Sequence, residues 1–154
     1  MGGERVVSRG ETAGAFGGET LVVCPRCGRR AVMREMAEHP AGSDHRYRLV
    51  CPHCGCTASF SHLGFFRRAG SPDGLRLWLE TPCCGETLLA RNAAHLDYLE
   101  RYVRAELRER VADPRWGWAN RSIVSRLPRW VGSAKNRAEV LRCIQRLRDR
   151  LGTG

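Results

Sequence analysis

Two short stretches decide how this chain is read: Cys24-Pro25-Arg26-Cys27-Gly28 and Cys51-Pro52-His53-Cys54-Gly55. Each is a CPxCG turn, and 23 residues lie between Cys27 and Cys51. A CxxC turn brings two sulfurs to one side of a tight loop. Proline at the second position fixes φ in the free turn, and glycine after the second cysteine accepts the positive φ that lets backbone N–H groups point at sulfur. Two such pairs supply the four thiolates of a structural zinc site, in which sulfur sits about 2.3 Å from the metal. A redox CxxC usually occurs singly in a thioredoxin-like βαβ setting, which this sequence lacks.

The residues around the pairs read as strands. Arg29 to Met36 and His45 to Val50 look extended, and the second alternates, with Tyr47 and Leu49 on one face and Arg46 and Arg48 on the other. Pro40 to Asp44 is turn chemistry. The result is a hairpin with a cysteine pair near each base. Residues 1–19 hold six glycines and few large apolar side chains, so they read as a flexible tail. Order is expected from Thr20-Leu21-Val22-Val23. After the second pair, Thr57 to Phe66 looks extended, Ala69 to Gly74 is a turn, and Leu75 to Glu80 alternates again. Thr81-Pro82-Cys83-Cys84-Gly85 matches the two knuckles at Pro, second Cys and Gly, and reads as a degenerate turn of the same type.

These residues resemble the zinc-ribbon class, whose two CPxCG knuckles sit at adjacent ends of a β-hairpin; the likeness covers roughly residues 21–57. Leu77 to Gly85 and the stretch from Leu127-Pro128-Arg129-Trp130 to Ala134-Lys135-Asn136-Arg137 are also similar to a family of small, uncharacterised bacterial zinc-ribbon proteins. Some of those carry labels drawn from the transcription-factor IIB ribbon or from replication-helicase ribbons. The resemblance implies that Cys24, Cys27, Cys51 and Cys54 hold one Zn2+ and that the metal is structural. The 23-residue spacer slightly exceeds the usual ~15–20 and permits longer hairpin strands.

From Asn92 the periodicity becomes helical. Asn92 can cap a helix whose stripe is Leu96, Leu99, Val103, Leu107 and Val111, ended by Asp113-Pro114. A short helix is expected at Ser122 to Leu127. The last helix opens on a capping-box pattern, Asn136 with Glu139, and carries Val140, Cys143, Ile144, Leu147 and Leu151 on its apolar side. The expected fold is α+β: a tail at 1–19, a small antiparallel zinc-ribbon β domain with further strands at 20–90, and a basic α-helical segment at 91–154.

The remaining cysteines leave alternatives open. Cys56, His62, Cys83 and Cys84 are candidates for a second metal site. Equally, Cys56 and one of the adjacent pair can be buried small hydrophobes, or Cys83 and Cys84 a redox pair. Cys143 falls on the apolar stripe of the last helix, and His95 on a face of the first.

Charge is uneven along the chain. Its formal net charge is +10, with 26 Lys and Arg against 16 Asp and Glu. Residues 1–113 carry 16 basic and 14 acidic side chains, whereas residues 114–154 carry 10 basic ones against Glu139 and Asp149 alone. All basic residues but Lys135 are arginine, which suits either Arg-rich codon usage or recognition of phosphate and carboxylate by the guanidinium fork. Arg115, Trp116, Trp118, Arg121, Arg126, Arg129, Trp130, Lys135, Arg137 and Arg142 interleave aromatic and basic groups, as a nucleic-acid surface requires. The competing reading docks the tryptophans on the sheet and leaves the arginines as a solvated rim.

No run of about 20 apolar residues, no secretory h-region, no Ser/His/Asp ordering, no paired-carboxylate motif, no HExxH and no P-loop is present. A saturated four-thiolate shell leaves the metal no open position for substrate. The expectation is a cytoplasmic, non-enzymatic zinc protein without a membrane partner. It is expected to associate with nucleic acid, DNA or RNA, or with an acidic protein. The alternative is an adaptor or small subunit that binds proteins, prompted by the amphipathic helix from Asn92.

Overall fold

The computed structural model describes residues 5–8, 16, 18–36, 46–61, 75–105, 107–110 and 127–154. Its elements are β1 (Arg5–Ser8), β2 (Glu19–Val23), β3 (Arg30–Glu35), β4 (Arg46–Val50), β5 (Thr57–Ser61), β6 (Leu79–Cys83), β7 (Glu86–Ala90), α1 (Ala93–Arg104), β8 (Leu107–Arg110) and α2 (Arg137–Leu151), with a 3-10 turn at Ala134–Asn136. Strands β2-β3-β4-β5 form one antiparallel sheet, β6 and β7 a hairpin, and β1 and β8 a parallel pair. The architecture is α+β, as expected.

Side-chain alternation sorts the four-stranded sheet into two faces. Val22, Ala31, Met33, Tyr47 and Leu49 point to one side and, with Cys24 and Cys51, make a small core. Leu21, Val23 and Val32 point to the other side and join a larger core beneath the helices. The register pairs Leu21 with Val32 and Val32 with Val50, so that second face continues across β3 and β4.

The larger core joins Leu79, Leu88 and Ala90 of the hairpin to Leu96, Leu99 and Val103 of α1 and Val140, Ile144 and Leu147 of α2. Leu75 to Glu80 does not form one strand. Val23 N–H donates to the Arg76 carbonyl and Trp78 N–H to the Leu21 carbonyl, both at 2.9 Å, so residues 76–78 line the open edge of β2 before the chain enters β6. Asn92 caps α1 as expected, its Oδ1 accepting from His95 N–H at 2.9 Å. Its Nδ2 donates to the carbonyls of Phe16 and Glu19 at 2.7 and 2.8 Å and ties the helix start to β2.

Three expectations are corrected. The helix from Asn92 does not reach Val111: it ends at Arg104, where Ala105 turns extended (φ −62°, ψ 127°), and Leu107–Arg110 pairs with Arg5–Ser8, within the stretch read as a tail. The leucine spacing persists in sequence, but ladder bonds replace the helical ones beyond Ala105. The capping box at Asn136 does not form, because the 3-10 turn already satisfies the Asn136 N–H through the Ser133 carbonyl. The Asn136 side chain instead donates to the Trp130 carbonyl at 3.0 Å, and Glu139 pairs with Arg142 and Arg146. Finally, Cys83-Cys84-Gly85-Glu86 is a two-residue hairpin turn with positive φ at Cys84 (53°) and Gly85 (77°), the backbone of a type I′ turn and not a knuckle. The helix expected at Ser122 to Leu127, the turns at 40–44 and 69–74, and the strand residues beyond Ser61 fall wholly or partly outside the described residues.

Two arginines fasten α2. Arg148 joins Asp97 at 2.7 Å and also bonds Glu100, both on α1. Arg30 of β3 donates to the Leu151 and Gly154 carbonyls at 2.8 and 3.0 Å, placing a cation at the negative end of the helix.

His95 lies half-buried against Phe16, ring centroids 5.0 Å apart and nearly parallel. Its Nδ1 accepts from Arg91 N–H at 3.1 Å, and its Nε2 has no partner among the described residues. Burial, reinforced by the Arg91 charge, pushes its pKa down to about 4. The folded state thus prefers neutral imidazole. Its contribution is complete above the unfolded pKa near 6.5 and is lost as pH falls towards 4. Urea denaturation at pH 7 and pH 4.5 is expected to show a loss on the order of 2 kcal/mol that the His95→Phe variant lacks. Equal losses in both proteins contradict the assignment.

Candidate metal centre

Each cysteine pair sits in a turn closed the same way. Gly28 N–H donates to the Cys24 carbonyl at 2.9 Å and Gly55 N–H to the Cys51 carbonyl at 3.0 Å. Just outside each, Cys24 N–H reaches the Arg29 carbonyl at 2.8 Å and Cys51 N–H the Cys56 carbonyl at 2.9 Å. Gly28 and Gly55 hold φ of +72° and +70°, a region costly to any residue with a Cβ. The knuckles are therefore two copies of one backbone device. The first joins β2 to β3 and the second β4 to β5. Because β3 and β4 are antiparallel neighbours, both knuckles lie at one end of the sheet.

The four sulfurs converge. Cys24 Sγ lies 3.7 Å from Cys54 Sγ, Cys27 Sγ lies 3.6 Å from Cys51 Sγ, and all four fall within 4.8 Å of one another. A tetrahedron of sulfurs each about 2.3 Å from a central ion has edges of about 3.8 Å. The donor set therefore fits one tetrahedral divalent ion. Cys24 and Cys51 are buried in the smaller core, Cys54 is half-buried and Cys27 exposed. One sulfur of each pair thus anchors the site to the sheet.

The electrostatics favour a thiolate at Cys24 and oppose further ones beside it. Burial pushes the Cys24 thiol up, but the N–H groups of Cys27 and Arg26, with the neighbouring thiols, outweigh it and hold the pKa at about 6. Arg26 N–H lies 3.4 Å from Cys24 Sγ. At Cys27 the Arg29 N–H favours the thiolate, but burial and the crowd of neighbouring sulfurs win and raise it to about 11. One thiolate forms readily at Cys24, while Cys27 and Cys54 resist until a cation offsets the repulsion among the sulfurs, which is what a metal supplies.

Cys56 packs beside this centre, where burial and the Cys24 thiol raise its pKa. Cys83 belongs to the other core, with Sγ 4.0 Å from Cys84 Sγ, and Cys84 is exposed at the hairpin turn. Among the described residues, Cys24, Cys27, Cys51 and Cys54 form the one group of three or more potential ligands, and Cys56, Cys83 and Cys84 are not brought together. His62 lies outside the described residues. Buried Cys143 approaches the Pro82 carbonyl at 3.6 Å, as a core thiol does.

Of the Arg/Trp candidates, Arg115, Trp116, Trp118, Arg121 and Arg126 lie outside the described residues. Trp130 is half-buried against the larger core, as the docking reading has it. Arg142 pairs with Glu139 at 2.8 Å, Arg137 is half-buried, and Arg129 and Lys135 are exposed. No helix among the described residues is long and apolar enough to cross a membrane. No protein-family model matches the chain, and neither a curated protein nor a solved structure does, so the zinc-ribbon likeness rests on the four cysteines and their geometry.

Titrating metal-free protein with Co2+ is expected to saturate at one equivalent per chain, with thiolate charge-transfer absorption. Cys27→Ser should weaken binding by more than about 100-fold, beyond the effect of losing an outer-shell partner, and Cys56→Ser should leave both stoichiometry and affinity unchanged. Equal losses from the two variants contradict the ligand assignment.

Proposed function

We propose that this is a non-enzymatic zinc protein in which the metal organises the β module and basic side chains hold the chain against nucleic acid. Zinc, with four thiolates around it, serves structure; nothing in that shell is left to bind substrate. The observation that carries the nucleic-acid reading is charge: +10 overall, and still about +8 after four thiolates bind one divalent ion. Counterion release from a polyanion is the physical return on such an excess. Arg129 and Lys135 are exposed and make no ion pair among the described residues, so they remain available to phosphate.

The adaptor alternative drew on the apolar stripe of α1. Leu96, Leu99 and Val103 are instead buried in the chain's own core, which leaves that reading resting on the lack of specific readout motifs in the sequence. A redox role for Cys83 and Cys84 is disfavoured chemically, since burial and the thiols of Cys143 and Cys84 push the Cys83 pKa up and away from thiolate. The proposal places the protein in the cytoplasm, where thiols stay reduced.

Fluorescence anisotropy with single- and double-stranded DNA and RNA tests the reading. Binding should weaken linearly in a plot of log K against log salt, with a slope of about −0.7 to −0.9 per phosphate contacted. Absent or salt-independent binding to all four probes overturns it.

A further inference from the structure

The charge count along the chain and the charge left open in space point to different places. Late in the chain, Arg142 and Arg146 share Glu139, Arg148 is held by Asp97 and Glu100, and Arg150 lies over the Trp78 ring at 4.5 Å. Those cations are already engaged. On the four-stranded sheet the opposite holds. Arg46 and Arg48 are exposed on β4, and their guanidinium groups make no hydrogen bond or ion pair among the described residues.

Register makes the patch compact. Arg48 stands directly opposite Arg34 on β3, a like-charge cross-strand pair of the kind that destabilises a sheet. Arg34 is offset by Glu19, its neighbour on the other side, at 2.9 Å; Arg48 has no such partner among the described residues. Arg46 follows two residues along the same strand and face, about 6.7 Å away. On the far side of β4, Ser59 faces Arg48 and Thr57 faces Val50, and both are exposed. Two further cations, Arg26 and Arg29, are exposed on the first knuckle at the end of this sheet. The only acid on this face among the described residues is Glu19.

We propose that the exposed face of β3-β4-β5, centred on Arg46 and Arg48, is a contact surface for the phosphate backbone of nucleic acid. It rests on the nucleic-acid reading above and relocates its main contact from the C-terminal segment to the sheet. The chemistry of the face favours phosphate over a protein partner. Val50, 45% exposed, is its one exposed large apolar side chain among the described residues, too little for an interface anchor. Guanidinium groups and hydroxyls need only phosphate oxygens as partners. Without an exposed aromatic ring among the described residues to stack on bases, the face holds the backbone and is indifferent to sequence. The metal keeps it rigid, because the ligands bracket β3 and β4 at one end.

The test uses the full metal-loaded chain, labelled single strands and duplexes of two unrelated sequences, and two double variants: Arg46→Gln with Arg48→Gln, and Arg129→Gln with Lys135→Gln. All four positions are exposed, and metal stoichiometry checks that each variant is folded. The sheet variant is expected to bind at least about tenfold more weakly on both sequences, with a salt slope shallower by about 2. The C-terminal variant should lose less. If the sheet variant binds like the unmodified protein while the C-terminal variant loses affinity, the sheet proposal is overturned and the nucleic-acid reading stands. If the unmodified protein binds no probe, both fail. Preferential binding of a poly-glutamate competitor would assign the face to an acidic protein and overturn the proposal.

Discussion

Four sulfur atoms meeting at one end of the four-stranded sheet are the constraint on which that sheet and the face it presents depend. The core they belong to is small: Val22, Ala31, Met33, Tyr47 and Leu49, with two of the cysteines themselves. The large side chains among them contribute roughly 1.5–3 kcal/mol each, and Ala31 less than about 1 kcal/mol, before the entropy of ordering four strands is set against them. A structural zinc site contributes about 10–16 kcal/mol in comparable small modules. On that scale an ion held by the four cysteines would match or exceed the apolar contacts of its own module. The larger core under α1 and α2 has no such dependence. It reaches the sheet through β2, whose open edge binds residues 76–78, and through Arg30 at the end of α2.

Much of this was legible in the sequence because the signals are local. The CPxCG pairs specify their own backbone, and the alternation of Arg46 to Val50 appears in the structure residue for residue. Asn92 starts a helix where its side chain can reach His95 N–H. What misled was local pattern overruled by something further away. Leu107 keeps the helical spacing, yet its backbone pairs with Leu107's partner Arg5 in a strand more than 100 positions distant along the chain. Asn136 and Glu139 have the spacing of a capping box, but a preceding 3-10 turn occupies the donor that Asn136 would free. Pro82, Cys83 and Gly85 match a knuckle in letters, and the hairpin β6–β7 uses them for a different turn.

The candidate site divides in the same way. Its four converging cysteines could be named from their paired spacing and the likeness to a zinc ribbon, because each pair is fixed within one turn. The grouping of Cys56 with Cys83 and Cys84 failed because those residues answer to two different cores. Charge is the clearest case. Summing along the sequence directs attention to residues 114–154, but Glu139, Asp97 and Glu100 engage Arg142, Arg146 and Arg148 of α2. Arg46 and Arg48 look unremarkable in a count and become distinctive only when the register shows Arg34 opposite and no acid alongside among the described residues.

X-ray absorption at the metal edge, on protein purified with the metal it acquires during expression, tests the central claim most directly. The account predicts a single shell of four sulfurs at about 2.3 Å. A shell containing nitrogen or oxygen donors, fewer than four sulfurs, or a preparation with no bound metal would contradict it.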